Sequence, residues 1–328
     1  LAKDFSIGID IGGTKIAGGI VNKNGEIVKS SIVSTPKEGG EAIISSLIEM
    51  ITSFQEIANV SNWELAGIGI GTAGQIDVKN GRVVSGTTNI LNWNDIPLRE
   101  KLSSIIKLPI WIDNDANVVA LAESKVGAAK GEEDVVFLTL GTGVGGGVIS
   151  SGNIIRGAWG GGAELGHLSV NFNGPDCNCG SKGCIEVYCS GTGIARLMRE
   201  KMNQTTCSSM ELVTVNEAEI TSKHVVQWAK EGNELAQSVI DEMVEGLAFG
   251  IVNLIHSFNP TTIVLGGGVM EDGDWLRDLV EKRVRSLGMK SLVQPVTIKL
   301  AKLGNEAGLV GAAFQSWMNH HPTFEEEV

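Results

Sequence analysis

The chain has 328 residues, long for a single hydrophobic core and enough for two domains. Its 42% hydrophobic and 20% charged residues fit a soluble globular protein, and a formal charge of −12 speaks against non-specific nucleic-acid binding, which draws on basic surface. No apolar run reaches the roughly 18 residues of a membrane span, and the chain enters a strand pattern at once, without the basic and apolar regions of a secretory signal. The 43 glycines imply several loops where backbone approaches something closely, so an anionic substrate would be met by nests of backbone N–H groups rather than by basic surface.

In chain order, residues 5–11, 16–21 and 26–33 predict three antiparallel strands joined by tight turns, the second at Asn24-Gly25. The first turn, Gly12-Gly13-Thr14-Lys15, follows Asp10 and offers N–H groups to phosphate oxygens, with Asp10 placed to hold Mg²⁺ through water. A plain hairpin turn would read the same way. Residues 41–57 carry a helical pattern, and residues 65–70 a buried strand leading into the close-approach loop Gly71-Thr72-Ala73-Gly74. Residues 83–93 bring Thr87 and Asn89 as polar groups that could face a ligand. A helix over 96–106 precedes a buried strand over 108–112, which ends in Asp113-Asn114-Asp115-Ala116-Asn117 before another helix. Ligands of open α/β sheets bind outside the carboxyl ends of strands, which places Asp115 as a general base and Asn114 against substrate. The competing reading is that one of these aspartates caps the helix.

Residues 134–140 begin the second half as the first began: a strand, the loop Gly141-Thr142-Gly143-Val144-Gly145-Gly146-Gly147, then another strand. Gly141, Gly143 and Gly146 spell a dinucleotide fingerprint, but that fingerprint demands a helix next, and a strand pattern follows instead. No Gly-Lys pair exists for a Walker A loop. Two strand–loop–strand units suggest a duplicated domain clamping a polyphosphate from two sides.

His167, Cys177, Cys179 and Cys184 fall within eighteen residues, with Glu164 just before and Glu186 just after. Such a Cys₃His set suits tetrahedral Zn²⁺, and Gly180 can supply the positive φ that folds two thiolates onto one metal. Buried free thiols or a disulfide are the alternatives, and a charged, glycine-rich loop fits them less well. Four protein ligands leave no open position, so the metal is expected to be structural, holding Glu164, His167 and Glu186 beside a pocket. Cys189 and Cys207 remain as free thiols, a pattern of the reducing cytoplasm. Helices are predicted over 193–202, 222–230, 233–258, 275–287 and 305–317, and strands over 261–265 and 296–300, with a frayed tail from residue 320. The turn Gly266-Gly267-Gly268 would let a flat purine ring lie against backbone.

Taken together, Asp10 to Lys15, Asp113 to Asn117, residues 140–147, Glu164-Leu165-Gly166-His167 and the cysteine run closing at Glu186 resemble the ROK family of sugar kinases and repressors over nearly the whole chain. The resemblance implies a duplicated actin-like, ribonuclease-H-like α/β fold closing on ATP–Mg²⁺ and a hexose. A small domain would span residues 1–118, with a helix over 305–318 packing back onto it, and a larger one residues 119–304 with a zinc loop over 167–186. It implies Asp115 as the base that takes the sugar hydroxyl proton. Asn89, Asn114, Glu164, His167 and Glu186 would hold sugar hydroxyls. Asp10, Gly12, Gly13, Thr14 and Lys15 would serve the phosphates with Gly141, Thr142, Gly143 and Gly146, and Gly266 to Gly268 would lie by the adenosine. One departure is Ala163, where members commonly carry glycine before the glutamate. Residues 303–309 resemble the family's glucokinases, whereas the Ala-Glu-Leu-Gly-His form also resembles its N-acetylmannosamine kinases. Transfer to O6 of glucose is the expected reaction and N-acetylmannosamine the alternative. The family's repressors carry a helix-turn-helix ahead of the first glycine turn, which here starts at residue 12, and a dead sensor would lose Asp115 or the phosphate turns. A cytoplasmic kinase is expected, as a homodimer or higher homo-oligomer.

Overall fold

The structure, a computed structural model, describes residues 3–87, 89–204 and 216–318, so Cys207 and the tail from residue 320 lie outside the described residues. The chain forms two compact units, one of Leu1–Gly131, Ile154–Ala163 and Leu303–Val328, the other of Glu132–Asn153 and Glu164–Lys302.

In the first unit, β1 (Phe5–Ile11), β2 (Lys15–Asn22) and β3 (Ile27–Ser34) form the antiparallel meander expected from alternation. Ile7, Ile9 and Ile11 point to one face and are at most 1% exposed. The 21-residue α1 (Gly40–Val60) covers that face with Ile43, Leu47, Ile51 and Phe54. β4 (Leu65–Thr72) joins β1 in parallel. The small hairpin β5 (Gln75–Asp77) and β6 (Arg82–Ser85) and the short α2 (Leu98–Ser103) lead to β7 (Ile110–Asn114) and α3 (Asp115–Lys125). α2 starts later than the expected 96–106 because Pro97 disfavours helical backbone at Ile96, which instead bridges to Val83, and it also ends earlier, at Ser103. Helix Ala307–Phe314 lies directly on β1 and β4, since Gly8 and Gly69 present no Cβ; one there would collide with the Leu309 and Ala312 carbonyl oxygens. The helix expected over 305–317 is α-helical only in this middle part and 3₁₀ at Gly304–Glu306 and Gln315–Trp317. α3 also packs against Ala307–Phe314, with Gly311 against the Val118 carbonyl, and carries the first unit past residue 118 to Gly131.

The second unit repeats the plan. β8 (Val135–Leu140) and β9 (Val144–Ser150) are antiparallel, with β10 (Asn153–Ile154) beside β9. α4 (Ile185–Cys189), α5 (Gly191–Gln204), α6 (Ser222–Lys230) and the 25-residue α7 (Glu234–Phe258) follow. β11 (Thr262–Gly266) pairs in parallel with β8, and after α8 (Asp274–Arg285) and α9 (Lys290–Val293) β12 (Thr297–Leu300) pairs in parallel with β11. The sheet orders are β3-β2-β1-β4-β7 and β10-β9-β8-β11-β12, each an antiparallel hairpin followed by two parallel strands. Among the described residues no helix is long and apolar enough to cross a membrane.

Candidate functional site

At the carboxyl end of β7 the chain turns into α3. Asn114 caps the helix: its Oδ1 accepts from the N–H groups of Ala116 (2.8 Å) and Asn117 (3.4 Å), while its Nδ2 donates to the Gly74 carbonyl (3.0 Å). The reading of an aspartate as the cap is therefore corrected. A neutral amide can accept from the helix and donate to Gly74 at once, which a carboxylate cannot. Asp115 is the first helical residue, and its Oδ1 accepts from the Ala116 N–H (2.9 Å). Burial raises its pKa, outweighing the hydrogen bonds from backbone N–H groups and from Asn114. The helix start does not win this balance.

Asp113 is fully buried, its Oδ1 accepting from the Asn114 N–H (2.8 Å) and Asn117 Nδ2 (2.9 Å), its Oδ2 from Arg156 Nε (2.7 Å). Arg156 carries no motif signal in the sequence; only the contact brings it out. Asp10, the last residue but one of β1, has a pKa pushed up to about 6, first by burial and then by the charge of Asp115, against the pull of Lys15. Its Oδ2 faces Gly308, where a Cβ would lie 2.5 Å away. In the next turn the Gly12 N–H is used to close onto the Lys15 carbonyl (3.0 Å), and Gly13, Thr14 and Lys15 are exposed. Asn89, also exposed, sits against this turn, its Cβ 2.9 Å from where a Gly13 side chain would begin.

In the second unit the loop between β8 and β9 closes from the Gly141 N–H to the Gly143 carbonyl (2.9 Å). Two neighbours fasten it. From the start of α5, the Gly191 N–H donates to the Gly141 carbonyl and Thr192 Oγ1 to the Thr142 carbonyl, both at 2.8 Å. From α4, Glu186 Oε2 accepts the Val144 N–H (2.9 Å), and a Cβ at Gly143 would lie 2.6 Å from that oxygen. A cleft of 490 Å³ opens here, lined by Gly141, Thr142, Gly191, Thr192, Ser222 and Gly268 among others. Gly191, Thr192 and Ser222 were missed in the sequence; the small-residue run from Ser190 to Gly193 at a helix start was the available signal.

Glu164 opens a 3₁₀ turn, its carbonyl accepting the His167 N–H (3.1 Å), and Ala163 before it takes the left-handed φ of 64°. The donor atoms of His167, Cys177, Cys179 and Cys184 all lie within 4.8 Å of one another. Cys179 Sγ and Cys184 Sγ are 3.7 Å apart, and His167 Nδ1 is 3.5 Å from Cys177 Sγ. Thiolates bound tetrahedrally at 2.3 Å would be spaced by about 3.8 Å, so this donor set fits one metal ion. Cys177, Cys179 and Cys184 are free thiols, which removes the disulfide reading, and Gly180 has the expected positive φ, 89°. Cys189 is free and buried, its pKa raised by burial.

The ROK family profile matches residues 6–317. The chain belongs to the ROK family. A glucokinase of Halalkalibacterium halodurans is 36% identical to this ROK chain over 310 residues, 94% of this chain and 93% of that protein. Among solved structures, a ROK hexokinase from Thermus thermophilus superposes with a TM-score of 0.82 at 31% identity, covering 95% of this chain and 98% of that one. A ROK family glucokinase from Streptomyces griseus, in complex with glucose and AMPPNP, does so with a TM-score of 0.75 at 35% identity and the same coverage.

Within this ROK chain the first unit brings together Asp10, the turn from Gly12 to Lys15, Asn89, Asn114 and Asp115. The second joins Gly141 to Gly143 with Glu186, and His167 with the three cysteines. Gly146 lies buried inside β9 with Leu165 packed over it, Gly266 is buried within β11, and Gly267 has φ 88° and is pressed against the Leu140 carbonyl. Of the 266–268 turn, Gly268 lines the cleft.

Proposed function

We propose that this chain is an ATP-dependent hexose kinase that transfers the γ-phosphate to the 6-hydroxyl of glucose. The observation carrying the substrate is the likeness, over nearly the full length, to the glucokinases named above. The N-acetylmannosamine alternative has no observation that favours it over glucose.

Phosphoryl transfer depends mainly on positioning and charge neutralisation. In this reading Asp115 orients the acceptor hydroxyl and takes its proton. Burial raises its pKa, so its ionised form is a better proton acceptor than an ordinary aspartate. Asn89, Asn114, Glu164, His167 and Glu186 hold sugar hydroxyls. The turn from Gly12 to Lys15 and the loop from Gly141 to Gly143 receive phosphates, with Gly268 beside the adenosine. Mg²⁺ bound with ATP supplies positive charge to the phosphates, and Asp10 is the residue that would hold it through water. The repeated strand order supports the duplicated actin-like assignment. The Cys₃His cluster would hold a structural Zn²⁺, supported by the spacing of its donors. Because Nδ1 of His167 faces Cys177, Nε2 is left for a sugar hydroxyl.

A coupled assay with ATP and a panel of glucose, mannose, fructose, N-acetylglucosamine and N-acetylmannosamine tests this. Glucose should give the highest kcat/KM. A higher value for N-acetylmannosamine overturns the substrate, and no turnover of any sugar overturns the kinase.

A further inference from the structure

Asp113 is 0% exposed, and a carboxylate so placed costs several kcal/mol unless it is paired and hydrogen-bonded. Its partners are informative. The Asn114 N–H and Asn117 Nδ2 flank Asp115 in sequence, one at the end of β7 and the other in the first turn of α3. Asp113 thereby spans the turn that carries Asp115. Its third partner, Arg156 Nε at 2.7 Å, comes from the segment Ile154–Ala163, and that side chain is only 15% exposed. The segment is itself fastened within the first unit. The Trp159 carbonyl accepts the Val78 N–H (3.0 Å), the Arg156 carbonyl accepts the Gly162 N–H (2.9 Å), and Gly160 is pressed on the Ile76 carbonyl. A guanidinium on an anchored backbone fixes a carboxylate more firmly than a flexible ammonium would.

We propose that Arg156 is a positioning residue for Asp115, acting through Asp113 to fix the turn from which Asp115 projects. The proposal rests on the kinase reading for its effect on turnover, but not for its effect on the turn. A misplacement of about 1 Å at a reacting group can cost on the order of 10²-fold in rate, so loosening this turn should appear in kcat. If the ion pair only held the segment Ile154–Ala163 down, its loss would lower stability and leave turnover per folded molecule intact.

The test uses the full chain in two forms. Asp113→Asn/Arg156→Gln removes both charges, so no unpaired carboxylate is left buried; Arg156→Lys keeps the charge without the fork. Each is measured for thermal unfolding, for kcat and KM with glucose and ATP, and for amide hydrogen exchange. The expected result for the double variant is a kcat lower by about 10–100-fold with the KM for ATP little changed. Exchange at residues 114–117 should quicken about tenfold or more, with β1 and β4 still protected. Arg156→Lys should fall between the double variant and wild type, and it carries the test by the same measurements where the double variant does not fold. A folded variant with wild-type kcat, or with unchanged exchange at 114–117, overturns the proposal. Should the wild-type chain phosphorylate no hexose, the kinase reading falls separately. The exchange then decides alone: quickening confined to 114–117 upholds the positioning, and its absence overturns it.

Discussion

At the scale of single residues, Asp113, Asn114 and Asp115 divide three tasks that the sequence run presents as interchangeable. Asp113 is buried against Arg156, Asn114 caps α3, and Asp115 keeps a raised pKa at the helix start. This division makes the base and cap readings separable. Asp115→Asn keeps the shape but cannot take a proton, so kcat should fall by roughly 10²–10⁴, about 3–5 kcal/mol of barrier, with little loss of thermal stability. Asn114→Ala should cost about 1 kcal/mol of stability, because it removes the cap. An Asp115→Asn protein that unfolds early yet turns over within a few-fold of wild type would reverse the assignment. The sequence made the Asp-Asn-Asp cluster legible, but not which member caps, since that depends on the Gly74 carbonyl forty residues away. Ala163 was likewise legible only as a departure from the family. Its φ of 64° shows a position that favours glycine. A left-handed alanine costs roughly 1–2 kcal/mol, part of which glycine returns as chain entropy in the unfolded state. Ala163→Gly should therefore raise the unfolding free energy by about 0.5–1 kcal/mol in urea, and a decrease would show that the neighbouring segment, not the φ angle, sets the cost.

At the scale of elements, both glycine hairpins could be read directly, because alternation marks their strands and a strand, not a helix, follows each loop. What holds the second loop could not be read. Gly191 acts through its backbone N–H, and Thr192 through one hydroxyl, on partners about fifty residues away. Glu186 is a similar case. It was expected at the sugar, and one of its oxygens accepts the Val144 N–H beside the glycine loop. It stands two residues beyond Cys184, so the cysteine cluster and the glycine loop are joined through the three residues 184–186 and one carboxylate. Cys184 is fully buried, and its Sγ also approaches the His167 carbonyl (3.3 Å). Cys184→Ser should accordingly lower bound zinc, lower Tm, and raise the KM for glucose together, since structural metal binding is coupled to folding. Zinc content by elemental analysis, alongside kinetics, checks this. A metal-depleted variant with an unchanged glucose KM would cut the link between the cluster and the sugar.

At the scale of the whole molecule, the two strand–loop–strand patterns in the sequence correspond to two sheets of one strand order. That duplication was legible because each half repeats its local signals. The place of Ile154–Ala163 in the first unit was not, because it rests on long-range contacts from Arg156, Trp159 and Gly160 that leave no periodicity. Function also leaves a mark on global stability. Asp10 and Asp115 both have raised pKa values, from burial and, for Asp10, from the charge of Asp115. For Asp10 the ordinary value of 3.8 becomes about 6 in the folded chain. The native state therefore binds more protons than the unfolded one across that window, and the stability it gains this way is complete below the unfolded value and lost as pH rises through the folded one. Other carboxylates oppose the trend; Arg283 pulls the pKa of Glu245 down, for example. The effect must therefore be read as a difference between variants. Asp10→Asn removes the buried charge and also relieves Asp115, so relative to wild type it should gain about 2 kcal/mol of stability between pH 4.5 and 7.5, measured in urea without nucleotide or added metal. At pH 4.5 much of the wild-type penalty is absent because Asp10 is already protonated, and at pH 7.5 it is nearly full. The same variant should lose phosphoryl transfer, so that stability rises where activity falls. A stability difference that stays flat across this range would mean that Asp10 is not held above its ordinary pKa, and that neither its burial nor the charge of Asp115 weighs on it in the folded chain.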